Sequence, residues 1–153
     1  MLKCIISGGQ TGADEGGLIA AKQLGLFTGG FMPKGWRTLE GPKPQFKEQY
    51  GMKEHEYRNY AYRTFDNVKT SDGTVRFASN FFSPGEICTM KAIKKLEKPF
   101  IDIEISLEKF PIEKFKQWLN DKQIKILNVA GNSESTSPGI KDFVIQFLVK
   151  ALS

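Results

Sequence analysis

Several large classes of protein are excluded by what this chain has little of. It holds two cysteines, Cys4 and Cys88, in no C-x-x-C or other paired spacing, so no disulfide framework organises it and a reducing compartment is expected. Its single histidine, His55, supplies no zinc-type spacing and lies among charged residues, which reads as an ordinary surface position. No apolar run approaches the ~18 residues of a membrane span, and Met1 leads straight into an apolar stretch without a signal-type leader, so a cytoplasmic protein is expected. No repeat, low-complexity tract or linker interrupts the 153 residues, a length that suits one domain. Basic blocks are absent too. The net charge of +5, with a pI near 9.2, is spread over lysines that alternate with glutamates. An anionic small molecule therefore suits the chain better than nucleic acid, for which it has no helix-turn-helix or RNA-binding aromatic signature.

What is present is a concentration of glycine near the start. Ser7-Gly8-Gly9-Gln10-Thr11-Gly12-Ala13-Asp14-Glu15-Gly16-Gly17 lies between an apolar run at 3–7, read as a buried parallel strand, and a helix expected over 12–24. Glycine lets backbone N–H groups approach an oxygen closely, and a helix start adds unpaired donors and a positive dipole end. Ser7, Gly8, Gly9, Gln10, Thr11, Gly12 and Asp14 are thus candidate ligand-binding residues around a phosphate. No Gly-Lys-Ser/Thr follows, so the stretch does not mark an NTPase. The acidic residue that a dinucleotide fingerprint places ~20 positions on is missing, and Lys34 and Arg37 stand there instead, favouring another anionic group. A plainer reading makes Thr11 the helix N-cap with Asp14 closing a box-like pair. Gly16 and Gly17, costly inside a helix, require close approach by a ligand or a neighbouring strand.

Further strands are expected over 26–31, 75–78, 99–104 and 124–130, with helices over 57–69, 85–97, from Pro111, and after Ser137 as N-cap with Pro138 at the first helical position. Between 32 and about 60 the periodicity disappears. That stretch is basic and carries Trp36, Phe46, Tyr50, Tyr57 and Tyr60, composition that reads as a packed lid and not as disorder. Alternating strands and helices imply an α/β fold whose mostly parallel five-stranded sheet has helices on both faces. Polar or glycine-rich segments beginning at Ser7, Met32, Ser79 and Gly131 all start where an expected strand ends, so one sheet edge gathers them.

With these segments in place, nearly the whole chain resembles the putative molybdenum-cofactor carrier family, a branch of the Rossmann-like nucleotide-binding superfamily that includes the lysine-decarboxylase-like phosphoribohydrolases. The resemblance rests on Ser7 to Asp14, Pro33-Lys34-Gly35 with Arg37, Arg63-Thr64 with Asn67-Val68, Ser71-Asp72-Gly73-Thr74, and Leu127-Asn128-Val129-Ala130-Gly131 with Glu134-Ser135 and Pro138-Gly139-Ile140. It implies a Rossmann-like fold, homo-oligomerisation and a pterin-type or nucleotide-like phosphorylated ligand, with the molybdenum cofactor (molybdopterin) as the named case. It also points to Gly85, Thr89, Gly131, Glu134 and Ser135 as ligand contacts. The family usually has Gly-Gly-Thr after its third strand, whereas this chain reads Ser83-Pro84-Gly85-Glu86, and Pro84 removes a backbone donor there.

No nucleophile–base pair is visible. Asp14, Asp72, Glu86 and Glu134 are the carboxylates near strand exits or turns, and Glu86 and Glu134 are the candidates for catalysis, if there is any. Asp72 also suits a purely turn-shaping role, and Glu86 a helix-dipole one. Binding of a phosphorylated heterocycle is the leading expectation. The alternatives are a nucleoside-monophosphate phosphoribohydrolase or nucleotide-binding sensor, and a scaffold with a vestigial pocket. The altered loop at 83–86 lacks the Pro-Gly-Gly-x-Gly-Thr-x-x-Glu pattern of the hydrolases, which favours binding over turnover.

Overall fold

The structure is a computed structural model that describes residues 1–105 and 111–153. Its elements are β1 (Cys4–Ile6), α1 (Ala13–Gln23), β2 (Phe27–Gly29), β3 (Phe31–Met32), α2 (Phe46–Tyr50), β4 (Lys53–Glu54), α3 (Tyr60–Thr70), β5 (Gly73–Ala78), α4 (Pro84–Leu96), β6 (Phe100–Glu104), α5 (Ile112–Asp121), β7 (Ile126–Gly131) and α6 (Ile140–Leu152). The five expected strands form one parallel sheet in the order β2-β1-β7-β5-β6. The strand last in sequence thus lies between β1 and β5.

Alternation along the central strands gives the sheet two unlike faces. Val75 and Phe77 of β5 and Leu127 and Val129 of β7 enter the main core with Ala20 and Ala21 of α1, Phe115 of α5 and Val144, Phe147 and Leu148 of α6. Each large side chain buried there contributes roughly 1.5–3 kcal/mol relative to exposure. The alternate residues Thr74, Arg76 and Asn128 are equally buried but polar. They are paired: Asn128 Nδ2 donates to Thr74 Oγ1 at 3.2 Å, and Arg76 donates to both carboxylate oxygens of Asp102 at 2.7 and 2.6 Å. On this side α3 and α4 pack on each other through Val68, Ala92 and Ile93.

The two helical glycines answer to neighbouring elements. A Cβ on Gly16 would lie 2.8 Å from the carbonyl oxygen of Lys141, and one on Gly17 would lie 2.7 Å from Val129 Cβ. α1 is therefore pressed onto α6 and β7 at a distance that only glycine permits.

Several local expectations give way to what tertiary contacts impose. Residues 26–31 divide at Gly30, which has φ 125°, so that β3 leaves the main sheet and pairs in parallel with β4. Gly12, not Thr11, precedes α1, at φ 83° and with no side-chain cap, because the Asn132 carbonyl accepts from Ala13 N. The last helix starts at Ile140 behind Gly139, since the Ser137 hydroxyl is already donated to Asn132 Oδ1 at 2.8 Å. His55 is buried, not superficial. Its Nε2 lies 2.7 Å from Asp66 Oδ2, its Nδ1 accepts from Tyr57 N, and its ring lies against Phe31, Tyr57 and Tyr62. Asp72 shapes a turn, its Oδ2 accepting from Lys125 N and Ile126 N. Within 32–60 the chain is anchored by Met32, Phe46 and Met52, which pack with Leu18 of α1.

Candidate functional site

A cavity of about 370 Å³ opens beyond the carboxyl ends of β1 and β7, within the ~300–1,000 Å³ range of small-molecule sites. Its walls are Gly8, Gln10 and Asp14 from the first loop and α1, Asn59 to Asn67 at the start of α3, Ser83 to Thr89 at the start of α4, and Asn128 to Thr136 at the end of β7. Three helix N-termini therefore border one space. The parallel sheet brings the starts of α1 and α4, which follow β1 and β5, to the same edge, and α3, which follows β4 of the smaller sheet, completes the wall.

The glycine loop is closed by the chain itself. Gly9 N donates to Ser7 Oγ at 3.3 Å, Gln10 N to Asp14 Oδ2 at 3.2 Å, and Thr11 N to Gln10 Oε1 at 2.9 Å. The Gly8 amide also favours the charge on the Asp14 carboxylate. Asp14 thus occupies the position in which an external anion was expected. Burial pushes its carboxyl up to about 6, against the lowering influence of Arg63 and of the two amides.

Among the described residues Arg63 is the one basic residue that lines the cavity. It projects from the first turn of α3, a turn with no acidic residue, whereas α1 has Asp14 and Glu15 and α4 has Glu86 at the equivalent place. Its guanidinium lies 5.3 Å from the Tyr60 ring centroid and over Gly8, where an added Cβ would meet Cζ at 2.7 Å. Nη1 donates to Thr64 Oγ1, but Nε is buried without any hydrogen-bond partner. Among the described residues Arg63 makes no direct ion pair. A guanidinium in the cavity wall without a direct ion pair among the described residues suits an anionic ligand.

Glu86 stands at the start of α4 with 2% exposure. Its Oε2 accepts from Ser83 Oγ at 2.6 Å and from Asn132 Nδ2 at 2.8 Å, and burial raises its pKa. Asn132 is the hub of this corner, since its Oδ1 also accepts from Ser79 N and Asn80 N at 3.0 and 3.2 Å.

Of the residues singled out from the sequence, Gly8, Gln10, Asp14, Gly85, Glu86, Thr89 and Gly131 line the cavity. Ser7, Gly9, Thr11 and Gly12 stand behind the wall; Ser7 Oγ donates to Asp14 O, and Thr11 Oγ1 accepts from Glu134 N. Lys34 and Arg37 lie outside it: Lys34 is exposed, and Arg37 donates to Arg58 O and rests on Tyr60 at 4.9 Å. Glu134 caps α6, its two oxygens accepting from Gly139 N and Lys141 N at 2.6 and 3.0 Å. Ser135 is exposed beside it. Sequence reasoning passed over Arg63 and Asn132 as site residues. The available signal for Arg63 was Asn59, which caps α3 by accepting from Ala61 N at 2.8 Å and so fixes Arg63 in the first turn.

No curated protein matches the chain. Among solved structures it is similar to a crystal structure described as "Putative molybdenum carrier protein" from Syntrophus aciditrophicus SB, with 31% identity over 99% of this chain and 96% of that one and a TM-score of 0.89. Residues 5–152 match the family described as cpYpsA, and the chain accordingly belongs to the circularly permutated YpsA SLOG family.

Proposed function

We propose that the protein binds a phosphorylated heterocycle in this cavity and serves as a carrier, with the molybdenum cofactor as its cargo. The observation that supports this most directly is Arg63, a cation in the cavity wall with a buried unpartnered Nε and no direct ion pair among the described residues. A phosphate would supply the counter-charge that the Arg63 guanidinium lacks, with the acid-free start of α3 beside it. The carrier reading draws on the similar Syntrophus protein. Among the described residues no group of three or more His, Cys, Asp or Glu side chains is placed to hold a metal ion. In this reading the molybdenum rides on its pterin ligand while the protein holds the phosphate and the ring. Assembly into a homo-oligomer is part of the same proposal.

Native mass spectrometry of freshly purified protein tests it. A bound organic phosphate of pterin type is expected, stoichiometric with the chain, and lost in Arg63→Gln. Circular dichroism and a thermal melt establish that this variant, which loses the Nη1 bond to Thr64 and the contact with Tyr60, is folded, while affinity should fall roughly tenfold or more with one charge-assisted bond gone. Recovery of the same ligand at full occupancy from Arg63→Gln would refute the assignment.

A second reading rests on the presence of Arg63 and Glu86 in one cavity. An arginine and a carboxylate against a ribose are what a nucleoside-monophosphate phosphoribohydrolase requires. Base released from nucleoside monophosphates by the wild type, and abolished in Glu86→Gln, would establish turnover over carriage.

A further inference from the structure

Among the described residues two carboxylates line the cavity, and they are bonded differently. Asp14 is taken up by the backbone of Gly8 and Gln10. Glu86 is held by one oxygen only. Ser83 Oγ and Asn132 Nδ2 both donate to Oε2, which fixes the plane and direction of the carboxylate, while Oε1 receives no hydrogen bond from any described residue. Glu86 lines the cavity, so Oε1 is the oxygen left for a donor from a ligand there. An ionised carboxylate only accepts. An acceptor so fixed in a residue of 2% exposure requires a donor from whatever fills the space.

Arg63 presents the opposite charge from α3, a guanidinium in the cavity wall without a direct ion pair among the described residues. We infer that the site is bipolar: Arg63 takes the ligand's phosphate, and Glu86 Oε1 accepts from a ring N–H or exocyclic amino group of its heterocycle. The selected class is then a phosphorylated heterocycle with a donor edge, of the amino-oxo pyrimidine type that pterins and guanine share. Heterocycles presenting only acceptors are rejected, because they leave Oε1 desolvated and unpaired. This inference rests on the reading of Arg63 as the anion seat.

The substitution that tests it follows from the bonding. In Glu86→Gln the amide oxygen must take the place of Oε2, because Ser83 and Asn132 both donate there, and the amide NH₂ is then turned into the cavity. An acceptor becomes a donor at constant shape. Binding of guanosine 5′-monophosphate, which carries the donor edge, is compared by calorimetry at pH 8 with that of purine riboside 5′-monophosphate, whose six-membered ring offers only acceptors. Ribose 5-phosphate serves as the anion control. The wild type should prefer the guanine nucleotide by about tenfold or more, and Glu86→Gln should abolish or reverse that preference while ribose 5-phosphate binds both proteins equally. Glu86→Thr, which removes the carboxylate, should likewise lose the preference and provides the test if the glutamine variant does not fold. Equal wild-type affinity for the two nucleotides, or a preference that survives both substitutions, overturns the role of Glu86 and leaves the anion seat standing. Failure of all three phosphates to bind the wild type overturns both.

Discussion

Asp14 carries the clearest consequence of burial for a single group. Its folded-state carboxyl is raised to about 6, while an unfolded aspartate titrates near ~3.9, so between these values the folded state holds more protons than the unfolded one. Stability contributed through Asp14 is therefore fully present below about pH 4 and is lost as pH rises through 6. The loss should approach ~3 kcal/mol, to order of magnitude. Urea denaturation of wild type and Asp14→Asn from pH 4 to 7.5 reads it: the wild type should weaken relative to the variant across that window. A constant difference between the two would show that Asp14 keeps an ordinary pKa. The charge is retained where it costs stability because it closes the glycine loop through Gly8 and Gln10 and sits beside Arg63.

The contact of α1 with β7 tests whether the helical glycines serve packing. Alanine in place of glycine in an exposed helix would stabilise by roughly 1 kcal/mol. At Gly17 the new Cβ would stand 2.7 Å from Val129 Cβ, a backbone-anchored atom that cannot swing away. Overpacking typically costs ~1–3 kcal/mol, so Gly17→Ala should be destabilising despite its helix propensity. The pair Gly17→Ala with Val129→Ala should recover part of the loss, with non-additivity measurable in thermal or urea melts. A stabilised Gly17→Ala would mean that α1 moves freely on the sheet. The start of α3 shows the converse case of an element legible from its cap, Asn59, whose position in space only the fold supplies.

The cavity belongs to the whole molecule, since its walls come from the first loop, α3, α4 and the loop after β7. A ligand seated there should stabilise these parts together. At a concentration 100 times its Kd it adds about 2.7 kcal/mol, roughly 5–10 °C in Tm for a chain of this size. Thermal scans with guanosine 5′-monophosphate should show that rise, and hydrogen exchange should slow in all four walls. Protection confined to residues 40–55 would place the ligand elsewhere. Among the described residues no helix is long and apolar enough to cross a membrane.

Periodicity and punctuation within the chain were enough for the parallel α/β architecture. The five strands of the main sheet coincide with apolar runs ending at glycine or polar loops, and α4, α5 and α6 with amphipathic stripes. These are short-range signals, carried by residues a few positions apart. The cavity's chemistry was less accessible, because it depends on pairs far apart in sequence. Asn132 reaches Glu86 and Ser79, Asn67 latches Phe31 through both its amide atoms, and His55 is covered by aromatic side chains from its own loop and from α3. The first loop was legible as a functional stretch, yet Asp14 was free in the sequence to cap a helix or to face a ligand. Only the folded chain decided that its carboxylate satisfies the loop amides, since a buried N–H takes the nearest acceptor. The same folding placed Arg63, without a direct ion pair among the described residues, and Glu86 on the wall of one cavity, a juxtaposition set by packing α3 and α4 on the polar face of the sheet and by no local pattern of residues.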